Sequence, residues 1–231
     1  MPIQPVLDLD RALAVQSPDD FPTPALTLQL MPGELALVEA RSASAAAWVA
    51  DLCSGLVPLS DGTARFLGHT WAAMPHDYAA ALRGRIGRVF ANGAWVGFVD
   101  AATNILLPQL HHSRETRDDL REQATRLACG FGLPGLPLEH PGDLAPIDLA
   151  RAACVRAFLG DPALLLLESP LQGQFEELLT PLLDALADAR QRGAAAIWLT
   201  RSDLVWSDHA VSANHRLRLR ERGLVPARAS T

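Results

Sequence analysis

Three polar residues that could take part in chemistry stand at the ends of two apolar runs. Glu168 and Ser169 end the run "ALLLLES" (163–169), and Arg201 follows "AAAIWLT" (194–200). The Glu168 carboxylate can meet a metal ion. The Arg201 guanidinium can bind an anion but holds its proton at any physiological pH, and the Ser169 hydroxyl cannot act as a general base. The three residues therefore offer metal and anion contacts, and neither Ser169 nor Arg201 can activate water.

The segment "LVEARSASAAAWVADLCSGL" (37–56) has the frame of a phosphate-binding loop without its residues. The loop G-x-x-x-x-G-K-[ST] lies between a strand and a helix. Its glycines let backbone amides close on phosphates, its lysine reaches those phosphates and its hydroxyl holds magnesium. Here a strand-like run and a run of helix formers flank a loop of alanines and serines. All 20 basic residues of the chain are arginine. Compositional drift alone would spare a lysine that phosphate binding needs, or at worst replace it with arginine. The loop contains alanines in its place, so drift does not explain the loss.

The apolar runs predict an α/β fold. Strand patterns cover 25–30, 34–38, 62–68, 87–93, 163–170 and 194–200, and helical patterns cover 113–132, 144–160 and 175–193. Strands that alternate with helices indicate a parallel sheet covered on both faces. The basic run "HRLRLRER" (215–222) is expected to be a solvated edge strand, with a nucleic-acid patch as the less favoured interpretation.

Composition excludes several classes of protein. With 231 residues, 49% of them hydrophobic, the chain can bury a full core or a core plus a subdomain. A net charge of -6 argues against a nucleic-acid partner. Cys53, Cys129 and Cys154 show no C-x-x-C spacing, which disfavours a disulfide framework and a zinc site and fits a reducing compartment. No signal peptide and no apolar run long enough to span a bilayer are evident, so we expect a cytoplasmic protein that reaches the membrane through a partner.

From "MPGELALVEARSASAAAW" (31–48) onward, and over roughly 1–225, the chain resembles the ATP-binding subunits of ABC transporters. The resemblance implies a P-loop NTPase-like core with a mainly parallel sheet, an antiparallel β part near the N-terminus and a helical insert. It implies one unit, with the core at about 1–92 and 160–231 and the insert at about 100–158. The strings "NGAWVGFVDAATNILLPQL" (92–110), "GQ" (173–174) and "SDHAV" (207–211) are most similar to the ATP-binding subunit of MCE/Mla-type phospholipid transporters.

In the phosphate loop, the resemblance places the nucleotide-binding positions on residues that do not suit them. The glycines fall on Ala40, Ala43 and Ala45, the lysine on Ala46, the magnesium-binding hydroxyl on Ala47 and the following hydroxyl on Trp48. Alanine at a positive φ costs about 1–2 kcal/mol, so we expect this loop to relax to another shape. Trp48 is expected to pack in the core in preference to stacking on adenine, and "RALAVQ" (11–16) lacks the usual aromatic residue for adenine.

The downstream motifs of the family are replaced as well. The Q-loop glutamine becomes Ala91, the LSGGQ signature becomes Leu144, Ala145, Pro146, Ile147 and Asp148, the magnesium-directing aspartate becomes Glu168, the catalytic glutamate becomes Ser169 and the switch histidine becomes Arg201, while Phe175 stands where a D-loop aspartate would follow. One carboxylate without lysine, hydroxyl or glutamine is a poor magnesium site. The resemblance therefore implies a pseudo-ATPase that needs neither ATP nor magnesium as a cofactor.

Two interpretations remain open for the space that nucleotide would fill. In ABC domains the strand ends that carry Glu168 and Arg201 are neighbours beside the γ-phosphate. Arginine suits bidentate contact with a carboxylate, so the two side chains are candidates for an internal plug, in contact directly or through one water. In the other interpretation Arg201 simply points to solvent.

The partners follow from the resemblance. ABC subunits receive a membrane permease in a groove lined by the segment after the Q-loop, which here contains Trp95, Val96, Phe98 and Val99. Most of these side chains are expected in the core, and an exposed subset would suit docking. The expected function is a degenerate subunit on the inner face of the membrane, held by a permease of an MCE/Mla-type lipid system and paired with itself or with an intact paralog. The alternatives are an active ATPase with an unorthodox site and a free-standing cytoplasmic regulator.

Overall fold

The computed structural model describes residues 3–17, 23–173, 176–208 and 210–227. Within these ranges ten strands form two sheets. The strands are β1 (Leu7–Ala14), β2 (Leu26–Leu30), β3 (Leu35–Glu39), β4 (Leu59–Phe66), β5 (His69–Thr70), β6 (Ile86–Val89), β7 (Leu164–Glu168), β8 (Ala195–Thr200), β9 (His215–Arg220) and β10 (Gly223–Pro226). The α-helices are α1 (Ala43–Cys53), α2 (His76–Arg83), α3 (Ala101–His112), α4 (Arg117–Gly130), α5 (Pro146–Phe158), α6 (Glu176–Gln191) and α7 (Asp203–Ser207).

The larger sheet is mainly parallel, which confirms the predicted fold class. Its order is β10-β9-β3-β8-β7-β6, and only β10 runs antiparallel to its neighbour. Every residue of β7 and β8 is buried, because layers cover both faces of a sheet of this kind.

The smaller sheet is the antiparallel part near the N-terminus, with strand order β2-β1-β4-β5. The sequence patterns did not mark β1 as a strand. Its residue Arg11 has a φ of 45°, and the register with both neighbouring strands shifts between residues 9 and 13. This irregularity breaks the alternation of apolar and polar residues on which strand prediction depends.

The two faces of the larger sheet pack against different layers. Alternate residues of β3 divide between two cores, with Ala36 and Val38 in one and Leu35 and Leu37 in the other. The first core lies under α1 and the smaller sheet, and the second lies under α3, α4, α5 and α6. The site region lies where α1 and the helical layer meet the carboxyl ends of the parallel strands.

The basic run at 215–222 is not the edge strand expected from the sequence. β9 pairs with β3 on one side and with β10 on the other. Arg218 and Arg220 of β9 form ion pairs with Glu39 of β3, at 2.9 and 2.7 Å. Strand β10, which pairs with the outer edge of β9, has four residues, too few to show a clear alternation of apolar and polar residues in the sequence. Among the described residues, no helix is long and apolar enough to cross a membrane.

Candidate functional site: a nucleotide-site region filled by the chain

The segment expected at the phosphate loop forms the first turn of a helix. Helix α1 begins at Ala43, so Ala43 and Ala45 lie inside it, at positions where the family has glycine. Alanine is the strongest helix former, and Ser42 caps the helix because its Oγ accepts from the Ala45 amide at 3.0 Å. Among the described residues, none from Ala40 to Ala47 has a positive φ. None of these alanines is therefore held in the left-handed backbone that would strain it.

Three backbone amides of this segment already have acceptors within the chain. The Ala45 amide donates to Ser42 Oγ, and the Ala46 amide donates to the Ser42 carbonyl at 3.1 Å. The Ala40 amide donates to the Thr200 carbonyl at 2.9 Å. A phosphate loop binds its ligand through amides that are free to point at it. These three amides cannot do so without giving up bonds inside the fold.

A buried arginine from β6 lies beside the missing loop. Arg88 is in register with Leu166 of β7, so Glu168, two residues further along β7, faces the same side of the sheet. Helix α1 crosses this face. Arg88 Nε donates to Glu168 Oε1 at 2.5 Å, and Arg88 Nη1 donates to Asp51 Oδ1 of α1 at 2.5 Å. We call Arg88, Glu168 and Asp51 the Arg88 cluster.

The Arg88 cluster is deeply placed and well bonded. The side chain of Glu168 is 2% exposed, that of Arg88 10% and that of Asp51 38%. The second carboxylate oxygen of Glu168 accepts from the Ala91 amide at 3.4 Å, and Arg88 Nη2 donates to the Ala47 carbonyl at 3.4 Å. Bonds between ionised groups are stronger than neutral ones. Glu168 is therefore occupied by an internal cation and is not free to direct a metal.

The direct contact predicted between Glu168 and Arg201 is not formed, because Arg88 pairs with the carboxylate. Arg201 is exposed and forms no ion pair among the described residues. It lines a cavity of about 410 Å³ beyond the ends of β7 and β8, together with Ser169 and Trp198. The interpretation in which Arg201 faces solvent is the correct one. Arg88 lies inside the apolar strand "IGRV" (86–89), and this was the sequence feature that could have predicted its ion pair. Buried charged side chains almost always have a charged partner.

Ser169, at the expected place of the catalytic glutamate, has a left-handed backbone with a φ of 45°. Its amide donates to the Leu199 carbonyl at 2.8 Å, and its Oγ lies 3.5 Å from the same oxygen. Left-handed backbone is uncommon for a residue other than glycine. The strained turn holds a hydroxyl near a main-chain carbonyl and supplies no base.

Trp48 is a packing residue, as the sequence predicted. It is 5% exposed and belongs to the core beneath α1. Its indole Nε1 donates to the Gln16 carbonyl at 3.0 Å. The tryptophan thus joins α1 to the end of the segment 11–16, where the family resemblance would place an adenine-binding aromatic residue.

Residues 90–100, between β6 and α3, form what we call the crossing segment. The Phe90 ring lies 4.4 Å from the Arg88 guanidinium and 5.6 Å from that of Arg156 on α5. Arg156 also lies 4.4 Å over the Trp95 ring and donates to the carbonyls of Gly93 and Ala94. Burial lowers the pKa of Arg156 to about 10. Arginine and aromatic rings therefore attach the first half of the crossing segment to α5.

The four docking candidates are more exposed than expected. Phe98 is 84% exposed, and Trp95, Val96 and Val99 are half-buried, so the expectation that most of them lie in the core is wrong. The reason is a polar anchor. The buried side chain of Asn104 accepts from the Val96 amide at 2.8 Å and donates to the Val96 and Val99 carbonyls at 3.0 and 3.2 Å. Main-chain bonds hold the segment, which leaves apolar side chains at the surface.

The other predicted nucleotide-site residues lie at the start of α5 and in a cavity beside it. Residues 144–148 lie at the start of α5, where Ala145 is an N-cap without a side-chain bond and Asp148 pairs with Arg151 at 3.0 Å. Ala91 and Ser169 line a cavity of about 310 Å³ beside the first residues of α5. Phe175, like Gln174 and His209 of the quoted strings, lies outside the described residues.

The residues of this region do not fit magnesium and a nucleotide. The amides of Ala45 and Ala46 have internal acceptors, Glu168 is paired with Arg88, and the Arg88 cluster carries one positive and two negative charges. In the described ranges there is no group of three His, Cys, Asp or Glu side chains that could hold a metal ion. An incoming polyphosphate would meet a net negative cluster, and it would find the Ala45 and Ala46 amides already bonded.

Comparisons with known proteins agree with the fold. The chain is 28% identical over 202 residues to the lipoprotein-releasing system ATP-binding protein LolD of Granulibacter bethesdensis, covering 87% of this chain and 86% of that protein. It is 22% identical over 233 residues to the macrolide export ATP-binding/permease protein MacB of Chlorobium luteolum, covering 98% of this chain but 35% of MacB. The dimeric bacterial ABC transporter cassette MJ0796 superposes with a TM-score of 0.80 at 15% identity, covering 94% of this chain and 96% of the cassette. No protein-family model matches the chain.

The chain therefore has the fold of ABC transporter ATP-binding domains, and its sequence is similar to LolD and MacB.

Proposed function

We propose that this ABC-type domain is a pseudo-ATPase subunit, which uses the fold without binding or hydrolysing ATP. The observation that carries the proposal is the first turn of α1. The amides of Ala45 and Ala46, which a phosphate loop would offer to its ligand, are bonded to Ser42. Losing the lysine as well removes a charge-assisted contact that contributes about 1.5–3 kcal/mol to phosphate binding.

The catalytic positions support the same proposal. Hydrolysis needs a carboxylate to position water and a metal to neutralise charge at the γ-phosphate. Ser169 has no carboxylate, Arg201 cannot cycle a proton and Glu168 is paired with Arg88. An active ATPase with an unorthodox site would need a replacement for each of these groups.

The partner in our proposal is an integral-membrane permease, which binds at the crossing segment. An exposed phenylalanine beside half-buried apolar side chains is the kind of surface that anchors an interface, and Phe98 is 84% exposed. Such a partner places the protein on the inner face of the membrane. A second ABC subunit, either another copy or an intact paralog, completes the complex.

The cargo in our proposal is lipidic. The strings at 92–110 and 207–211 resemble the MCE/Mla-type phospholipid branch, and LolD is named for the release of lipoproteins. MCE/Mla-type transport is therefore the specific system that we propose.

Thermal unfolding with and without millimolar Mg-ATP tests the loss of nucleotide binding. A ligand at about 100 times its Kd stabilises the native state by about 2.7 kcal/mol, which raises the Tm of a domain of this size by about 5–11 °C. We expect no shift for this protein and a clear shift for a LolD protein measured beside it. A rise of several degrees in this protein would contradict the pseudo-ATPase proposal.

Purification from the native host tests the permease. We expect a membrane protein to co-purify with the parent chain and with Leu56→Asp, but not with Phe98→Asp. Leu56 is a matched control, since it is 55% exposed and lies just after the far end of α1. Both variants should melt at the parent temperature, because exposed substitutions change stability by about 0.5 kcal/mol or less. If no membrane protein accompanies the parent, the free-standing regulator is supported instead.

A further inference from the structure

We propose that the Arg88 cluster holds the crossing segment in one position without any bound ligand. This inference rests on the proposed function, since it requires a site that no nucleotide enters.

The first step is the number of elements that meet at one guanidinium. Arg88 comes from β6, Glu168 from the end of β7 and Asp51 from α1, with both ion-pair distances at 2.5 Å. Arg88 Nη2 also reaches the Ala47 carbonyl in the first half of α1. One side chain thus joins the helix of the missing phosphate loop to two strands of the sheet.

The second step is the connection from the cluster to the crossing segment. The carboxylate of Glu168 bonds Arg88 with one oxygen and the Ala91 amide with the other. The Phe90 ring packs on the same Arg88 guanidinium, with 4.4 Å between the guanidinium carbon and the ring centroid. The first two residues after β6 are therefore held by the cluster itself.

The third step is the far side of the crossing segment. Arg156 of α5 packs on Phe90 and Trp95 and donates to main-chain carbonyls of the segment, and Asn104 of α3 bonds the backbone of Val96 and Val99. In the described part of the chain Arg156 has no carboxylate partner. Its contacts exist only while the crossing segment keeps this path.

Together these contacts run from α1 to α5 through side-chain and main-chain groups of this chain alone. Movement of the crossing segment away from β7 would take the Ala91 amide from Glu168 and the Phe90 ring from Arg88. Arg88 must itself stay beside Glu168, because that carboxylate is 2% exposed. Without Arg88 it would be a buried charge with no partner, which is strongly unfavourable. The same contacts fix the main chain on both sides of Phe98, so its ring is presented at one constant place.

Hydrogen exchange followed by mass spectrometry tests the inference on the full chain. The variants are Arg88→Met, which removes the cation and keeps most of the side-chain volume, and the double variant Arg88→Met/Glu168→Met, which removes both buried charges. Arg65→Met is the matched control, because it breaks the 3.0 Å pair with Asp8 in the smaller sheet. The readouts are the exchange rate of the amides at 91–100 and the Tm.

We expect Arg88→Met to lower the Tm by about 6–20 °C, because it breaks a buried ion pair. Exchange at 91–100 should rise at least about tenfold, corresponding to a change of about 1.4 kcal/mol in the free energy of opening. The double variant should recover most of the Tm, because no unpaired charge remains, while the raised exchange at 91–100 persists. Arg65→Met should leave exchange at 91–100 unchanged.

Parent-like exchange at 91–100 in the double variant would overturn the inference, since the cluster would then serve stability alone. The same result in Arg88→Met would also overturn it. If the single variant does not fold, the double variant decides. These outcomes are separate from the nucleotide experiment. A parent protein stabilised by Mg-ATP contradicts the proposed function, whereas exchange that ignores Arg88 contradicts this inference alone.

Discussion

Restoring the lysine of the phosphate loop should harm this protein and should not return nucleotide binding. The substitution is Ala46→Lys, at the position where the family has its phosphate-binding lysine. Ala46 is 2% exposed and packs in the core beneath α1, and its amide is bonded to Ser42. A lysine side chain must enter that packed space, close to the turn that Arg88 contacts through the Ala47 carbonyl.

The magnitude follows from these contacts. Extra methylenes in a packed core cost about 1–3 kcal/mol, and an ammonium group placed near Arg88 adds the cost of desolvation and repulsion. A total of at least about 2 kcal/mol lowers the Tm by about 4–8 °C. Adding Ala43→Gly and Ala45→Gly costs about 0.5–1 kcal/mol for each helical glycine, or about 2–8 °C for the two.

Thermal unfolding with and without Mg-ATP measures both effects. The matched control is Ala81→Lys, an alanine on the exposed side of α2, which should melt within about 2 °C of the parent. The reasoning fails if Ala46→Lys melts at the parent temperature. It also fails if Ala46→Lys alone gains several degrees from Mg-ATP, since the closed first turn of α1 would then be no barrier to phosphate.

Three further predictions concern other parts of the fold. Replacing Trp48 with alanine should lower the free energy of unfolding by about 3–5 kcal/mol in urea titrations, as expected for a large buried ring, and a loss below about 1 kcal/mol would refute its packing role. The Thr103 amide donates to the Asp100 carboxylate and is the main cause that lowers the pKa of that carboxyl. The ionised cap therefore stabilises α3 at pH values above the unfolded pKa of 3.8, and this stabilisation is lost as the pH falls through the lower folded pKa. Asp100→Ala should therefore cost about 0.5–2 kcal/mol at pH 7 and much less in acid, and a cost independent of pH would contradict this. In thiol titrations of the native protein the exposed Cys129 should react first, while Cys53 and Cys154 should require unfolding, because burial raises the pKa of both to about 12.

Several features follow from the sequence because they depend on neighbouring residues. The five apolar residues that precede Glu168 and the run at 194–200 predict buried parallel strands, and both form the centre of the larger sheet. The alanines after Ser42 predict that a glycine loop cannot form, and the structure shows helix in its place. Helix propensity, capping and apolar runs act within a few residues, so the sequence alone reveals them.

Other features were decided only when the elements came together. Arg88 and Glu168 are 80 residues apart, and their contact depends on the register of β6 with β7. From the sequence, Glu168 was predicted to contact Arg201, which the structure leaves exposed. Likewise, β9 became an inner strand once β10 paired with it, and Phe98 stayed at the surface because Asn104 holds the surrounding main chain. Strand register and long-range polar bonds arise from packing of the whole chain, since one residue of shift reverses the face to which each side chain points.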